Sequence, residues 1–194
     1  FYFSRLLPTL PALFQENIEY KFYAYATQIT GKQRLQVAKL QQVEVIERTS
    51  DLKAFWLDLP RVVIRATVPV EYGFFIEMNQ GWKFRLHEDT LFVDVPALSN
   101  STPAVDVSQL KFEVVKGSLF RNESESLRKI QSELMGILVE KSIAHRALVK
   151  DQARKSIEGF VRGWLSQVTR SNLPEKIIVR FPDDKDVSEN PLSP

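Results

Sequence analysis

The sequence has 194 residues, enough for one large domain or two small ones, and 44% hydrophobic residues, enough for a packed core. Its 26 Lys and Arg against 24 Asp and Glu give a formal charge of only +2, which argues against nucleic acid as a partner. The chain has no Cys and two His, so thiolate metal sites, disulfides and cysteine nucleophiles are excluded, and we expect no cofactor and no bound transition metal.

The N-terminal segment is strongly apolar. The chain begins at Phe1 rather than Met, and residues 1–15 (FYFSRLLPTLPALFQ) carry nine apolar side chains and a single charge, Arg5. A membrane-spanning helix needs about 20 apolar residues, so this segment is too short to span by itself. We expect it to be a membrane-proximal or docking segment, with a spanning or interfacial single-pass anchor just upstream of Phe1.

A long β-hairpin is predicted from Ile18 to Arg48. Apolar and polar side chains alternate over residues 18–27, which is the period of a half-buried strand. The predicted face consists of Ile18, Tyr20, Phe22, Ala24 and Ala26. Residues 30–33 (TGKQ) predict the turn, and a break or bulge is expected at Gln41 and Gln42. The returning strand is carried by Leu35, Val37, Val43 and Val45.

Further strands are predicted between Ala54 and Phe120, where β-branched and aromatic residues are frequent. Pro60, Pro69 and Pro96 limit the runs, and residues 79–81 (NQG) are a turn signal inside a hairpin. Because the connections are short, we expect mostly antiparallel pairing and six or seven strands.

The apolar period changes from two to 3.6 at Asn122, where Asn122 and Glu125 are typical of a capping box. The apolar stripe continues to Val168, and a single helix over this length would reach about 70 Å, so we expect a break between Lys141 and Lys150. Residues 176–181 (KIIVRF) predict a last strand that returns to the sheet.

These elements predict an α+β fold, with a mostly antiparallel sheet of six or seven strands, long C-terminal helices and a final returning strand. We expect one domain over residues 16–181, preceded by the segment 1–15 and followed by a polar C-terminal tail, 182–194.

The order of the parts resembles a known family. The run VVIRATVPVEYGFFIE with a hairpin into FVDVPAL, then VDVSQLKFEV, then LVKDQARKSIEGFVRGWL ending in KIIVRF, resembles the domain of unknown function forty-two thirty over about residues 18–181. Glu71 and Gly73 stand where the family has an Ala-Gly-Ile-Asp type motif, and the half containing Ala153 matches better. The resemblance implies an N-terminally anchored domain of a bacterial envelope or organelle membrane, without a catalytic motif.

No set of side chains predicts a catalytic centre. His87, Glu88 and Asp89 are consecutive, and neighbours on a strand point to opposite faces, while His145 is predicted on a solvated helix face. Because no nucleophile, base and orienting group converge, we expect no catalytic residue, and a hydrolase has the least support.

A candidate interaction surface is predicted at Gly159, Gly163, Arg154 and Arg162. Each glycine costs a helix interior about 1 kcal/mol relative to alanine, so we expect close packing on the protein's own sheet or the approach of another helix or protomer. The two arginines belong to a region, 122–170, with nine Lys and Arg against six Asp and Glu. It suits either anionic lipid headgroups or a solvated face with internal ion pairs.

We therefore expect a non-enzymatic, membrane-associated binding or scaffold domain whose partner is another protein or a second copy. The alternative is a carrier or sensor of an apolar ligand or lipid, because 13 Phe, 5 Tyr and 3 Trp supply cavity walls as readily as a core. A cavity lined by Tyr20, Phe22, Trp56, Phe75 or Trp82 would favour the carrier, whereas a large exposed apolar patch would favour the partner protein.

Overall fold

Helices and strands combine in an α+β fold, seen in a computed structural model that describes residues 8–15, 17–30, 34–50, 53–54, 57–58, 62–116, 123–169 and 172–184. The helices of these residues are α1 (Leu10–Gln15), α2 (Ile18–Thr30), α3 (Glu123–Ala144) and α4 (Arg146–Val168). The strands are β1 (Arg34–Ser50), β2 (Lys53–Ala54), β3 (Leu57–Asp58), β4 (Val62–Glu77), β5 (Lys83–His87), β6 (Thr90–Asp94), β7 (Ser99–Asn100), β8 (Ala104–Val105), β9 (Lys111–Lys116) and β10 (Lys176–Arg180).

The described strands form three sheets instead of the single predicted sheet. In the largest, β4 pairs with β1, β7, β8 and β9; in the second the order is β10-β6-β5; and β2 pairs with β3. β6 pairs with β5 on one edge and with β10 on the other, whereas β4 pairs only within the largest sheet among the described strands. The α+β class, the mostly antiparallel pairing and the long C-terminal helices are confirmed.

Residues 18–30 form helix α2, so the predicted first strand of the hairpin is wrong. The backbone amide of Tyr20 donates a hydrogen bond to the Asn17 side-chain oxygen at 3.2 Å, which caps the start of the helix. Ile18, Phe22 and Ala26, four residues apart, are buried, whereas Tyr20 is 71% exposed. The same three apolar residues satisfy a period of two and a helical period, which explains the error. Residues 31–33 of the predicted turn lie outside the described residues.

Strand β1 continues through Gln41 and Gln42, where a break or bulge was predicted. The alternation of buried and exposed side chains shifts by one residue at Val37 and Ala38, two neighbours that are both buried. The change places Glu44 in the interior and leaves Val43 and Val45 exposed. In this part of β1 the buried side chain is therefore Glu44, instead of Val43 and Val45 as the sequence suggested.

The predicted helix break and the final strand are both confirmed. α3 ends at Ala144 and α4 begins at Arg146, so His145 occupies the break. β10 runs parallel to β6, with Lys176 opposite Thr90 and Arg180 opposite Asp94. Parallel pairing requires a crossover connection, and the chain between these two strands, which includes both long helices, provides it.

Contacts group the chain into two compact units. Unit 1 comprises Phe1–Ala38, Phe74–Ser99 and Val149–Pro194, and unit 2 comprises Lys39–Gly73 and Asn100–Leu148. Nothing in this grouping decides the prediction of one domain over 16–181, which stays a prediction.

Unit 1 has an aromatic core. The Phe22 ring centroid lies 4.6 Å from that of Trp82 and 5.0 Å from those of Phe84 and Trp164. The predicted apolar stripe of α4 supplies the wholly buried Ile157, Val161, Trp164 and Leu165. In the described part of the N-terminal segment, residues 8–15, Leu10 and Leu13 are also buried. This part is docked, because the Thr169 hydroxyl donates to the Pro8 carbonyl at 3.0 Å.

Candidate functional site

A buried carboxylate, Glu44, is the centre of the polar interior of unit 2. Its side chain is only 8% exposed. Lys141 on α3 approaches it at 2.8 Å, the Tyr72 hydroxyl on β4 donates to it at 3.1 Å, and His145 Nε2 lies 3.2 Å away. The side-chain amide of Gln42 donates to the same carboxylate. Two strands and the helix break therefore meet at one ionisable group.

These contacts decide the protonation of the site. Burial alone would raise the pKa of Glu44, but the hydrogen bonds from Lys141, His145, Gln42 and Tyr72 outweigh it and lower the pKa to about 2. Burial and the adjacent Glu44 carboxylate raise the pKa of Tyr72 well above its ordinary value. At neutral pH Glu44 is therefore an ionised acceptor, and Tyr72 is a neutral donor.

A second set of hydrogen bonds holds the end of α3. The Asn100 side-chain amide donates to the Ser142 hydroxyl at 2.5 Å and to the Ser142 carbonyl at 2.7 Å. Arg146 Nε in turn donates to the Asn100 side-chain oxygen. Because the last carbonyls of a helix lack partners within the helix, Asn100 satisfies one of them at the break. We call the eight residues of both sets the break cluster: Gln42, Glu44, Tyr72, Asn100, Lys141, Ser142, His145 and Arg146.

The break cluster joins β1 and β4 to the break between α3 and α4 through hydrogen bonds and ion pairs. His145 and Glu44 resemble a base with its orienting carboxylate, and the Tyr72 and His145 rings lie edge to face at 5.1 Å. Within the described residues, however, the Tyr72 hydroxyl donates a hydrogen bond to Glu44, and the Ser142 hydroxyl accepts one from Asn100. Neither of these two hydroxyls is therefore paired with His145 as a nucleophile with its base.

The prediction for His145 is wrong. Its side chain is 17% exposed, and it lies in the helix break instead of on a solvated helix face. The Gln42 side-chain nitrogen lies 2.7 Å from its Nε2. These partners come from strands about a hundred positions away in the sequence, so no local pattern could have indicated the cluster.

The residues of the predicted interaction surface all lie on α4 in unit 1. A Cβ added at Gly159 or Gly163 would have no described heavy atom within 4 Å outside the neighbouring backbone, so neither glycine packs closely on the sheet. Arg154 pairs with Asp151 and Asp184, each at 2.7 Å, and Arg162 pairs with Glu158 at 3.1 Å. For the basic region the sequence left two alternatives, contact with anionic lipid headgroups or a solvated face with internal ion pairs. The contacts of Arg154 and Arg162 are internal ion pairs of the second kind.

The remaining candidate residues do not form a metal site. His87 is exposed at the end of β5, and Glu88 lies in the following turn with a φ of 51°. Over the described ranges, no three His, Asp or Glu side chains come together as metal ligands would.

An open depression of about 590 Å³ lies on the sheet of unit 2. Its walls include Val43, Pro69, Val105, Glu71 and Asp106. Hydrogen bonds from Lys39 and Gln41 lower the pKa of Glu71, and those from Ser108 and Gln109 lower the pKa of Asp106. Both carboxylates are therefore ionised at neutral pH and already have partners within the unit.

Comparison of the chain with family models, with curated proteins and with solved structures finds no match in any of the three. The resemblance to the domain of unknown function forty-two thirty stays a prediction. None of the described helices is both long enough and apolar enough to cross a bilayer.

Proposed function

We propose that this chain is a non-enzymatic, membrane-associated binding or scaffold domain whose partner is a protein. The observation that carries the proposal is an exposed apolar stripe on α3, formed by Met135, Val139 and Ile143. They are 40%, 42% and 52% exposed and follow one another at intervals of four residues. Residues at this spacing share one side of a helix.

The stripe is additional to the side of α3 that fills the core. Ile130, Leu134 and Leu138 of the same helix are buried. A helix at the surface of a globular protein normally has one apolar side and one polar side. A second apolar side on α3 therefore supports contact with another protein.

Exposed apolar side chains are concentrated in unit 2. Of the ten large hydrophobic residues that are exposed among the described residues, nine belong to this unit. Single exposed apolar residues are ordinary, but a regular series on one helix is typical of a protein interface. Gly136 beside the stripe has no described atom near its missing Cβ, so a partner helix can approach closely there.

The proposed membrane attachment has a separate basis. It rests on the apolar composition of residues 1–15 and on the family resemblance, which places an anchor upstream of Phe1 in a bacterial envelope or organelle membrane. The docking of residues 8–15 in unit 1 is compatible with such an anchor, because the anchor would precede the docked residues.

The alternative, a carrier of an apolar ligand, has less support. Phe22 and Trp82, two of the residues expected to line its cavity, pack against other rings, and Tyr20 is 71% exposed. Trp56 lies outside the described residues. A lipid retained in stoichiometric amount by the purified chain would favour the carrier.

A paired substitution tests the proposed protein interface. Val139→Asp with Ile143→Asp puts charges into the stripe, and Val43→Asp with Val45→Asp is the matched control on β1, where both valines are exposed. Partner protein retained on the immobilised chain, measured by quantitative mass spectrometry, should fall at least about tenfold for the stripe variant and little for the control, as expected for loss of an interface centre. Melting curves verify folding.

Equal retention by all three proteins would contradict the stripe as the interface. Light scattering distinguishes the two kinds of partner. A dimer that the stripe variant alone fails to form would identify the partner as a second copy of the chain.

A further inference from the structure

The sheet of β5, β6 and β10 in unit 1 has one buried side and one solvent side. Phe84, Val93 and Val179 are buried, and residues next to them in each strand point the opposite way. The strand register places Lys83, Asp94 and Arg180 in one row of the solvent side and Arg85, Phe92 and Ile178 in the next. The third row consists of His87, Thr90 and Lys176.

This side of the sheet is basic. It holds four formally positive side chains, Lys83, Arg85, Lys176 and Arg180, against one carboxylate, Asp94. We call these four residues the basic face. All four are exposed. Glu88, Asp89 and Glu175 lie beside the third row, so the positive charge is greatest in the rows of Lys83 and Arg85.

Among the described residues, three of the four cations of the basic face have no acidic partner. Arg85 contacts Asp94 at 2.9 Å, whereas no ion pair within the described residues engages Lys83, Lys176 or Arg180. The Arg180 guanidinium lies 4.5 Å from the centroid of the Phe92 ring, an arrangement that orients it without neutralising it.

The basic helix α4 differs in this respect. Lys150 contacts Asp183 at 2.8 Å and Asp184 at 3.2 Å, and Arg154 shares Asp184. Asp183 and Asp184, which follow β10, thus neutralise cations of the helix and leave those of the basic face available for an external anion.

We propose that the basic face binds the anionic headgroups of a lipid bilayer. The proposal rests on the membrane association in the proposed function and names the surface of the chain that meets the lipid. Each Lys or Arg close to an anionic membrane strengthens binding about fivefold at low ionic strength. A tethered domain needs only such weak contacts, because its anchor keeps it near the bilayer.

A single-stranded nucleic acid is the competing anionic ligand. Binding of its bases requires several exposed aromatic rings on which they stack. Among the nine residues of the three rows, Phe92 alone has a large aromatic ring, and the Arg180 guanidinium already occupies a place over it. The observations therefore favour lipid.

Vesicle sedimentation of the chain of residues 1–194 tests the proposal. The probes are vesicles of phosphatidylcholine alone and of phosphatidylcholine mixed with phosphatidylserine. The test variant Lys83→Gln with Arg180→Gln removes two charges from the face. The control Arg128→Gln with Lys129→Gln removes two from exposed positions of α3. For the mixed vesicles the test variant should lose about 25-fold in partition and the control less than about threefold.

Two further measurements sharpen the test. Arg180→Lys keeps the charge and should bind mixed vesicles nearly as well as the unaltered chain, and binding should weaken as salt is added. Three outcomes overturn the proposal: no preference for mixed over neutral vesicles, equal losses by test variant and control, or oligouridine binding that Phe92→Ala abolishes. Vesicle binding involves no partner protein, so its failure is distinguishable from failure of the α3 stripe.

Discussion

At the scale of the residue, Glu44 links the stability of unit 2 to pH. Its pKa is about 2, against an ordinary value of 4.5. A carboxylate whose pKa is lower in the folded state stabilises the fold above its unfolded pKa, and this stabilisation is lost as the pH falls through the folded value. The lowered pKa corresponds to a contribution on the order of 3 kcal/mol at neutral pH.

The first prediction concerns the substitution Glu44→Gln. At pH 7 it should lower the free energy of unfolding by about 2–3 kcal/mol, because Lys141 and His145 lose their shared carboxylate. The difference from the unaltered protein should shrink below pH 4.5 and nearly vanish near pH 2. Urea unfolding across this pH range measures it.

The matched control is Glu47→Gln, three residues further along β1. Glu47 pairs with Arg65 at the surface, where its side chain is 48% exposed, so the change should cost less than about 1 kcal/mol. A Glu44→Gln deficit of the same size at pH 7 and pH 3 would refute the ionised role of Glu44.

At the scale of the element, periodic helices could be predicted from the sequence, and non-local strand contacts could not. The stripe of α4 follows from the helical period, and a break between Lys141 and Lys150 follows from the length of the apolar pattern, so neither needs knowledge of the partner element. In β1 the alternation of buried and exposed residues shifts at Val37 and Ala38, and two consecutive apolar residues give no sign of this shift in the sequence. The burial of Glu44 follows from that change, so the break cluster had no signal in the sequence.

The failure at α2 has a local cause. Ile18, Phe22 and Ala26 fit a strand face and a helix face equally, and the capping role of Asn17 decides between them. An Asn just before a periodic apolar run is the signal that would have predicted the helix.

The next prediction concerns the two glycines of α4. Because a Cβ at Gly159 or Gly163 meets no described atom within 4 Å, Gly159→Ala and Gly163→Ala should each stabilise the protein by about 0.5–1 kcal/mol. Thermal unfolding measures the effect. A loss of stability in either variant, or a loss of oligomer, would show that another helix packs against this part of α4, as the sequence alternatives allowed.

At the scale of the whole molecule, the net charge conceals how charge is distributed. A formal charge of +2 does not indicate the basic face, and the basic region predicted from the sequence was 122–170. The register of β5, β6 and β10 collects four cations on one side of a sheet, while acidic residues after β10 pair with α4. Composition sums over the chain, so this separation becomes visible only when the pairing of the strands is known.

The first described residues of the predicted tail, 182–184, make contacts with α4. The Asp184 carboxylate accepts a hydrogen bond from the Phe181 amide at 2.8 Å and contacts Lys150 and Arg154. Burial alone would raise the pKa of Asp184, but these donors outweigh it and hold the pKa below its ordinary value. Within the described residues, Asp184 therefore belongs to the contacts of unit 1.

The last prediction compares three truncations of the C-terminus. Removal of 185–194 leaves every described contact intact and should change the free energy of unfolding by less than about 0.5 kcal/mol. Removal of 183–194 deprives Lys150 and Arg154 of Asp184 and should cost about 1–2 kcal/mol. Removal of 176–194 deletes β10 and exposes the edge of β6, so this protein should be insoluble. Solubility and urea unfolding measure all three. A soluble, cooperatively unfolding product of the longest truncation would show that β10 is dispensable. Equal stability of the two shorter truncations would show that the contacts of Asp184 do not stabilise the fold.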